Sequence, residues 1–110
     1  MAQADIVHLA PGDALLFAGM LDVFAEAFDD DHAYRGARPD AAYVEGLLAE
    51  RGFIGLVARD GDAAIGALAA YELRKFERAR SEIYIYDLAV LESHRRRGIA
   101  TALIERLQAI

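Results

Sequence analysis

The chain has no cysteine among its 110 residues. Disulfides, thiolate metal sites and a cysteine nucleophile are excluded together. No apolar run approaches the roughly 20 residues of a membrane span, so no membrane association is expected. The N-terminus lacks a basic-then-apolar signal segment, and a cytoplasmic location is expected. Proline stands only at positions 11 and 39, and there is no internal repeat, linker or low-complexity stretch. Basic charge is scarce over residues 1–70, which carry 12 acidic and 4 basic side chains. That balance does not suit nucleic acid, whose phosphates need Lys and Arg. What is present is a chain 55% hydrophobic, enough for one globular domain over 1–110.

Charge changes sign along the chain. Residues 71–110 carry 6 acidic and 8 basic side chains, so a net of −8 is followed by +2 and the whole stands at −6. The first part suits a cationic ligand and the second an anionic cofactor. The alternative is that the acidity only keeps the protein soluble.

Periodicity gives the elements. Pro11-Gly12-Asp13 breaks the chain, and Asp13 is expected to cap a helix with Leu16, Met20, Val23, Phe24, Ala27 and Phe28 on its core face. Asp29-Asp30-Asp31-His32 then opens a loop reaching to Pro39. Asp40 caps a second helix carrying Tyr43, Val44, Leu47 and Leu48, with Gly52 as its expected stop. Phe53–Arg59 and Ala63–Leu73 read as strands around the turn Asp60-Gly61-Asp62. Glu82–Val90 is a third long strand, after the charged stretch Arg74–Arg80. A last helix from Gly98 has Ala102, Leu103, Leu107 and Ile110 at helical spacing. With a short strand at Asp5–Leu9, the order is β-α-α-β-β-β-α.

The richest stretch is where the third long strand passes into Arg95-Arg96-Arg97-Gly98-Ile99-Ala100-Thr101 and then the last helix. A strand feeding a glycine-containing turn that opens a helix presents unpaired backbone N–H groups, and the helix dipole adds positive potential. Such a place suits phosphate or pyrophosphate. The spacing is not that of the nucleoside-triphosphate loop, nor the three-glycine dinucleotide pattern. It fits Arg/Gln-x-x-Gly-x-Gly/Ala, read here as Arg95, Gly98 and Ala100. The alternative is an ordinary helix start flanked by solvated arginines.

Asp87 is the one charge embedded in Ile83-Tyr84-Ile85-Tyr86-Asp87-Leu88-Ala89-Val90. A carboxylate there is costly to bury unless it is paired, solvated or used. Facing an amine acceptor, it can position and deprotonate the ammonium. The alternative is a structural partner for an arginine such as Arg80. Tyr86 is the second catalytic candidate, but strand alternation puts it on the opposite face unless a bulge intervenes. Asp29, Asp30 and Asp31 could attract a polycation or simply form a solvated helix end. Glu82 is a weaker candidate of the same kind. No metal set is expected: the spacing lacks a calcium loop, and single histidines give no zinc site. His8 and His94 read as structural, and neither Ser81 nor Ser93 has the setting of a triad nucleophile.

The segment from Arg95 to Thr101 resembles the acetyl-CoA pyrophosphate loop of the GNAT N-acetyltransferase superfamily. The element order resembles the front half of that fold, an α/β (α+β) architecture with a mainly antiparallel sheet flanked by helices. Gly66–Tyr71, Lys75-Phe76-Glu77, Ser81–Val90 and His94-Arg95-Arg96 resemble aminoglycoside 3-N-acetyltransferases of the gentamicin-modifying type. Family members continue past the helix at 98–110, so a C-terminal portion of the fold is expected to be missing.

The resemblance implies acetyl-CoA as co-substrate and no metal. It implies a pyrophosphate held by Arg95, Arg96, Arg97, Gly98, Ile99, Ala100 and Thr101, and a pantetheine arm on the backbone of Leu88, Ala89 and Val90. One backbone N–H there would polarise the thioester carbonyl. The implied reaction is direct acetyl transfer to an aminoglycoside amine, at the 3-amino group, giving antibiotic resistance. Rival readings are acetylation of another polyamine, small amine or peptide, and an inactive CoA-binding domain. With part of the fold missing, Ile83, Ile85, Leu103 and Leu107 would meet water, so either a homo-oligomer, a dimer, or a fragment of a longer enzyme is expected.

Overall fold

The computed structural model describes residues 4–110. Strand β1 (Asp5–His8) leads into helices α1 (Ala14–Phe28), α2 (Asp31–Arg35) and α3 (Ala41–Ala49). Strands β2 (Phe53–Asp60), β3 (Ala63–Arg74) and β4 (Ser81–Val90) follow, then a single 3₁₀ turn (Glu92–His94) and helix α4 (Ile99–Gln108). The four strands form one antiparallel sheet in chain order, leaving β4 at an edge among the described residues.

Helices cover both faces of the sheet, which is why β2 is apolar almost throughout instead of alternating: Phe53 to Ala58 are all buried. On one face, Phe17, Met20, Val23 and Phe24 of α1 and Val44 and Leu48 of α3 pack on Val57, Ala67, Ala69 and Ala89. On the other, Ile99, Leu103 and Leu107 of α4 pack on Leu56, Leu68, Ala70 and Val90. Small residues on β3 let both layers approach closely. A Cβ at Gly66 would stand 3.1 Å from Ile99 Cγ2, so the glycine seats the first residue of α4 against the sheet. That contact fixes where the turn before α4 lies.

Several local expectations are corrected. Asp13 precedes α1 but does not cap it with its side chain; its carboxylate turns back to accept from Ala10 N–H. Part of the expected loop after α1 is helical, because Asp30 caps α2 by accepting from Ala33 N–H. Asp40 caps α3 as expected, through Tyr43 N–H. That helix ends at Ala49, before Gly52, whose carbonyl instead accepts from Glu72 N–H. Leu103 and Leu107 do not meet water: α4 folds back on the sheet and buries both, while Ile83 and Ile85 on the edge strand are exposed.

Candidate active site

Strand β4 and the turn after it build the centre of the site. Between β3 and β4 the register slips by one residue: Ala69 pairs with Asp87, but Ala70 pairs with Ile85. Tyr86 is therefore the extra residue of a β-bulge, which cancels the alternation that would have separated it from Asp87. Tyr86 packs edge-on against Tyr71 of β3, centroids 4.7 Å apart. Asp87 lies half-buried, opposite Ala69 and on the α1 side of the sheet. Its Oδ2 accepts from the hydroxyl of Tyr34 on α2, 3.0 Å away. Arg80 is not its partner; that guanidinium binds Glu82 at 2.7 Å.

Beyond the bulge, Leu91 N–H donates inward to Ile65 carbonyl on β3. Antiparallel pairing alternates, so the N–H and C=O groups of Leu88 and Val90 point to the open edge. Arg95 uses that edge, its Nε donating to Val90 carbonyl at 2.9 Å. The amide donors of Leu88 and Val90 face outward beside the bulge.

The turn itself has the geometry of an anion cradle. Arg96 and Gly98 both adopt left-handed backbone, φ 66° and 76°. No backbone N–H from Arg96 to Thr101 has a hydrogen-bond partner among the described residues, and no side chain caps α4. Nothing lies within 4 Å of where a Gly98 Cβ would be, so the backbone there is open to a ligand. These donors bound a cleft of about 430 Å³ lined by Leu88, Ala89, Val90, Arg95, Arg96, Gly98, Ile99, Ala100 and Thr101. Unpaired amides, a helix N-terminus and flanking arginines fit a pyrophosphate.

Arg97 points elsewhere, into a smaller cavity behind α4 that also holds Asp60 and Glu105. Ala27 and Phe28 at the end of α1, and His94, complete the cleft wall. Sequence reasoning missed these three and Tyr34, because only the fold brings α1, α2 and the turn to the end of β4. Ser93 Oγ lies 2.8 Å from His94 Nδ1, and His94 Nε2 lies 3.5 Å from Asp60. This chain ties the 3₁₀ turn to the β2–β3 turn.

The other acidic residues are largely engaged. Asp30 caps α2, and Asp31 pairs with Arg35. Asp29 adopts left-handed backbone (φ 51°) at the end of α1. Glu82 is bound by Tyr84 and Arg80, which hold its carboxyl below the usual range. Burial, then the Asp87 carboxylate, pushes the Tyr34 phenol up. Burial likewise raises Tyr71, helped by Tyr43, Tyr86 and Glu50.

A turn that fits a phosphate, opening onto a strand edge with outward amide donors beside a carboxylate, matches the architecture of an acyltransferase that holds its donor by a phosphorylated carrier. The chain belongs to the acetyltransferase (GNAT) family, whose model matches residues 18–110. It is an N-acetyltransferase of the family that uses acetyl-CoA as co-substrate. A comparison with curated protein sequences finds no match. Among solved structures, the chain is similar to an aminoglycoside acetyltransferase from an uncultured soil metagenomic sample, with 52% identity and a TM-score of 0.95. That alignment covers 99% of this chain and 71% of the other. A second soil metagenomic aminoglycoside acetyltransferase, in complex with sisomicin, aligns with 28% identity and TM-score 0.86 over 96% of this chain and 68% of its own. A ribosomal-protein-alanine N-acetyltransferase from Brucella melitensis biovar Abortus 2308 aligns with 30% identity and TM-score 0.70, covering 98% and 71%.

Proposed function

We propose that this protein transfers the acetyl group of acetyl-CoA directly to an amine of an aminoglycoside, at the 3-amino group, and so confers resistance from the cytoplasm. The observation that carries the reading is the Asp87 carboxylate on the bulge of β4, next to the open-edge amides of Leu88 and Val90. In this reading the pyrophosphate rests on the amides of Arg96–Thr101, and Leu88, Ala89 and Val90 carry the pantetheine. Asp87 accepts the proton of the acceptor's ammonium, freeing the lone pair that attacks the thioester carbonyl. An amide donor on the β4 edge stabilises the resulting oxyanion until the thiolate leaves, taking up the proton that the acetylated nitrogen sheds. Tyr86 flanks the reacting groups from the same face. The acidic first part of the chain, Asp29, Asp30 and Asp31 included, draws in a polycationic acceptor, with Glu82 on β4 adding to the same attraction.

The names of the two soil relatives support the choice of acceptor. The ribosomal-protein relative favours a second reading, acetylation of a peptide amine. Purified protein given acetyl-CoA with sisomicin, gentamicin or an alanine-ended peptide separates them. The expected product is a singly acetylated drug with the acetyl on the 3-amino nitrogen by NMR. Acetylation of the peptide alone would reverse the assignment.

A further inference from the structure

Tyr34 is fixed at both ends and aimed at one atom. Its backbone carbonyl accepts from Arg38 Nε at 2.8 Å. Arg38 and Arg35 both reach back to Asp22 on α1, at 2.6 and 3.3 Å. Its ring packs against the stacked pair Phe24 and Phe28, centroids 5.6 and 5.9 Å away, and Phe24 is buried. The hydroxyl donates to Asp87 Oδ2, while Asp87 Oδ1 has no hydrogen-bond partner among the described residues. With one oxygen tethered and the other free, the orientations open to this carboxylate are restricted.

We infer that Tyr34 is a positioning residue: it orients the Asp87 carboxylate so that its free oxygen faces the acceptor amine, and it docks α2 onto the bulged strand. This rests on the role given to Asp87 above. Tyr34 touches no reacting atom in this account and acts only through Asp87. A purely structural Tyr34 would instead owe its place to the ring contacts with Phe24 and Phe28, which a phenylalanine keeps. Loss of the hydroxyl alone therefore separates the two roles.

The test uses Tyr34→Phe, Asp87→Asn and the double variant, with acetyl-CoA and sisomicin as probes. Tyr34→Phe is expected to lower kcat about tenfold, as small misplacements of a catalytic group do. Its melting temperature and CoA affinity should stay near wild type. In the Asp87→Asn background the same change should add no further loss, since the two residues act as one unit. A readout independent of turnover is the Tyr34 phenol, followed by NMR of 13Cζ-labelled tyrosine. Its titration midpoint should fall in Asp87→Asn, because the carboxylate that favours the protonated phenol is gone. An unmoved midpoint, a wild-type kcat for Tyr34→Phe, or fully multiplicative losses would each overturn the proposal. Wild-type kcat in Asp87→Asn would overturn the reading of Asp87 and this inference with it. A wild-type protein inert toward sisomicin but showing the displaced midpoint would overturn the acceptor assignment while upholding the Tyr34–Asp87 contact.

Discussion

Gly98 combines a left-handed backbone with empty space where a side chain would project. Any other residue there is strained, and an acidic one would face the phosphates in the proposed mode of CoA binding. Gly98→Glu is expected to weaken CoA binding by about tenfold or more by calorimetry, with the fold intact. Unchanged affinity in a folded variant would remove the loop from the cofactor site. This glycine and Asp87 were both legible in the sequence, one from its spacing to Arg95 and Ala100, the other as a lone charge in an apolar strand. Tyr34 was not. It lies 53 positions from Asp87, and no local pattern ties a tyrosine on a five-residue helix to a strand that far away. The sharing of a face by Tyr86 and Asp87 depends on a one-residue register slip that periodicity alone could only allow for.

Among the elements, α2 shows what helical periodicity misses. Five residues give too few repeats to reveal a face, so Asp31–Arg35 read as loop; it is held by the Tyr34 contacts with Phe24, Phe28 and Asp87 and, beside them, by charge. Asp22 on α1 receives Arg35 and Arg38, and the Arg38 guanidinium chiefly holds its carboxyl below the ordinary range. A depressed folded value means the stabilisation is fully present above the unfolded value and is lost as pH falls through the folded one. Asp22→Asn should therefore lower the melting temperature at neutral pH, and its difference from wild type should shrink as the medium is acidified. A difference that persists undiminished in strong acid would show that this carboxylate does not tether α2 by charge. The longer elements were legible because their patterns were long. The burial of Leu103 and Leu107 follows instead from the close seat that Gly66 gives α4, a tertiary fact absent from the spacing.

At the scale of the molecule, the sheet flanked by helices was expected from the likeness of the element order to the GNAT fold, and the cleft lies where the strand-turn-helix pattern put it. Its other wall, from Ala27 and Phe28, needed the packing of α1 against β4. The open side of β4 carries Ile83 and Ile85 in water, and edge strands with exposed apolar residues pair readily. Light scattering is expected to find a dimer that Ile85→Lys weakens; a monodisperse monomer would contradict this. In the proposed reaction Asp87 serves acetyl transfer from acetyl-CoA to an aminoglycoside. That role is tested most directly by acceptor-dependent release of CoA thiol with sisomicin, measured for wild type and Asp87→Asn side by side. Steady turnover by wild type is expected, with a fall of roughly 10²-fold or more in kcat for the variant and CoA affinity unchanged. No sisomicin-dependent release by folded wild type, or equal rates for the two proteins, would contradict that role.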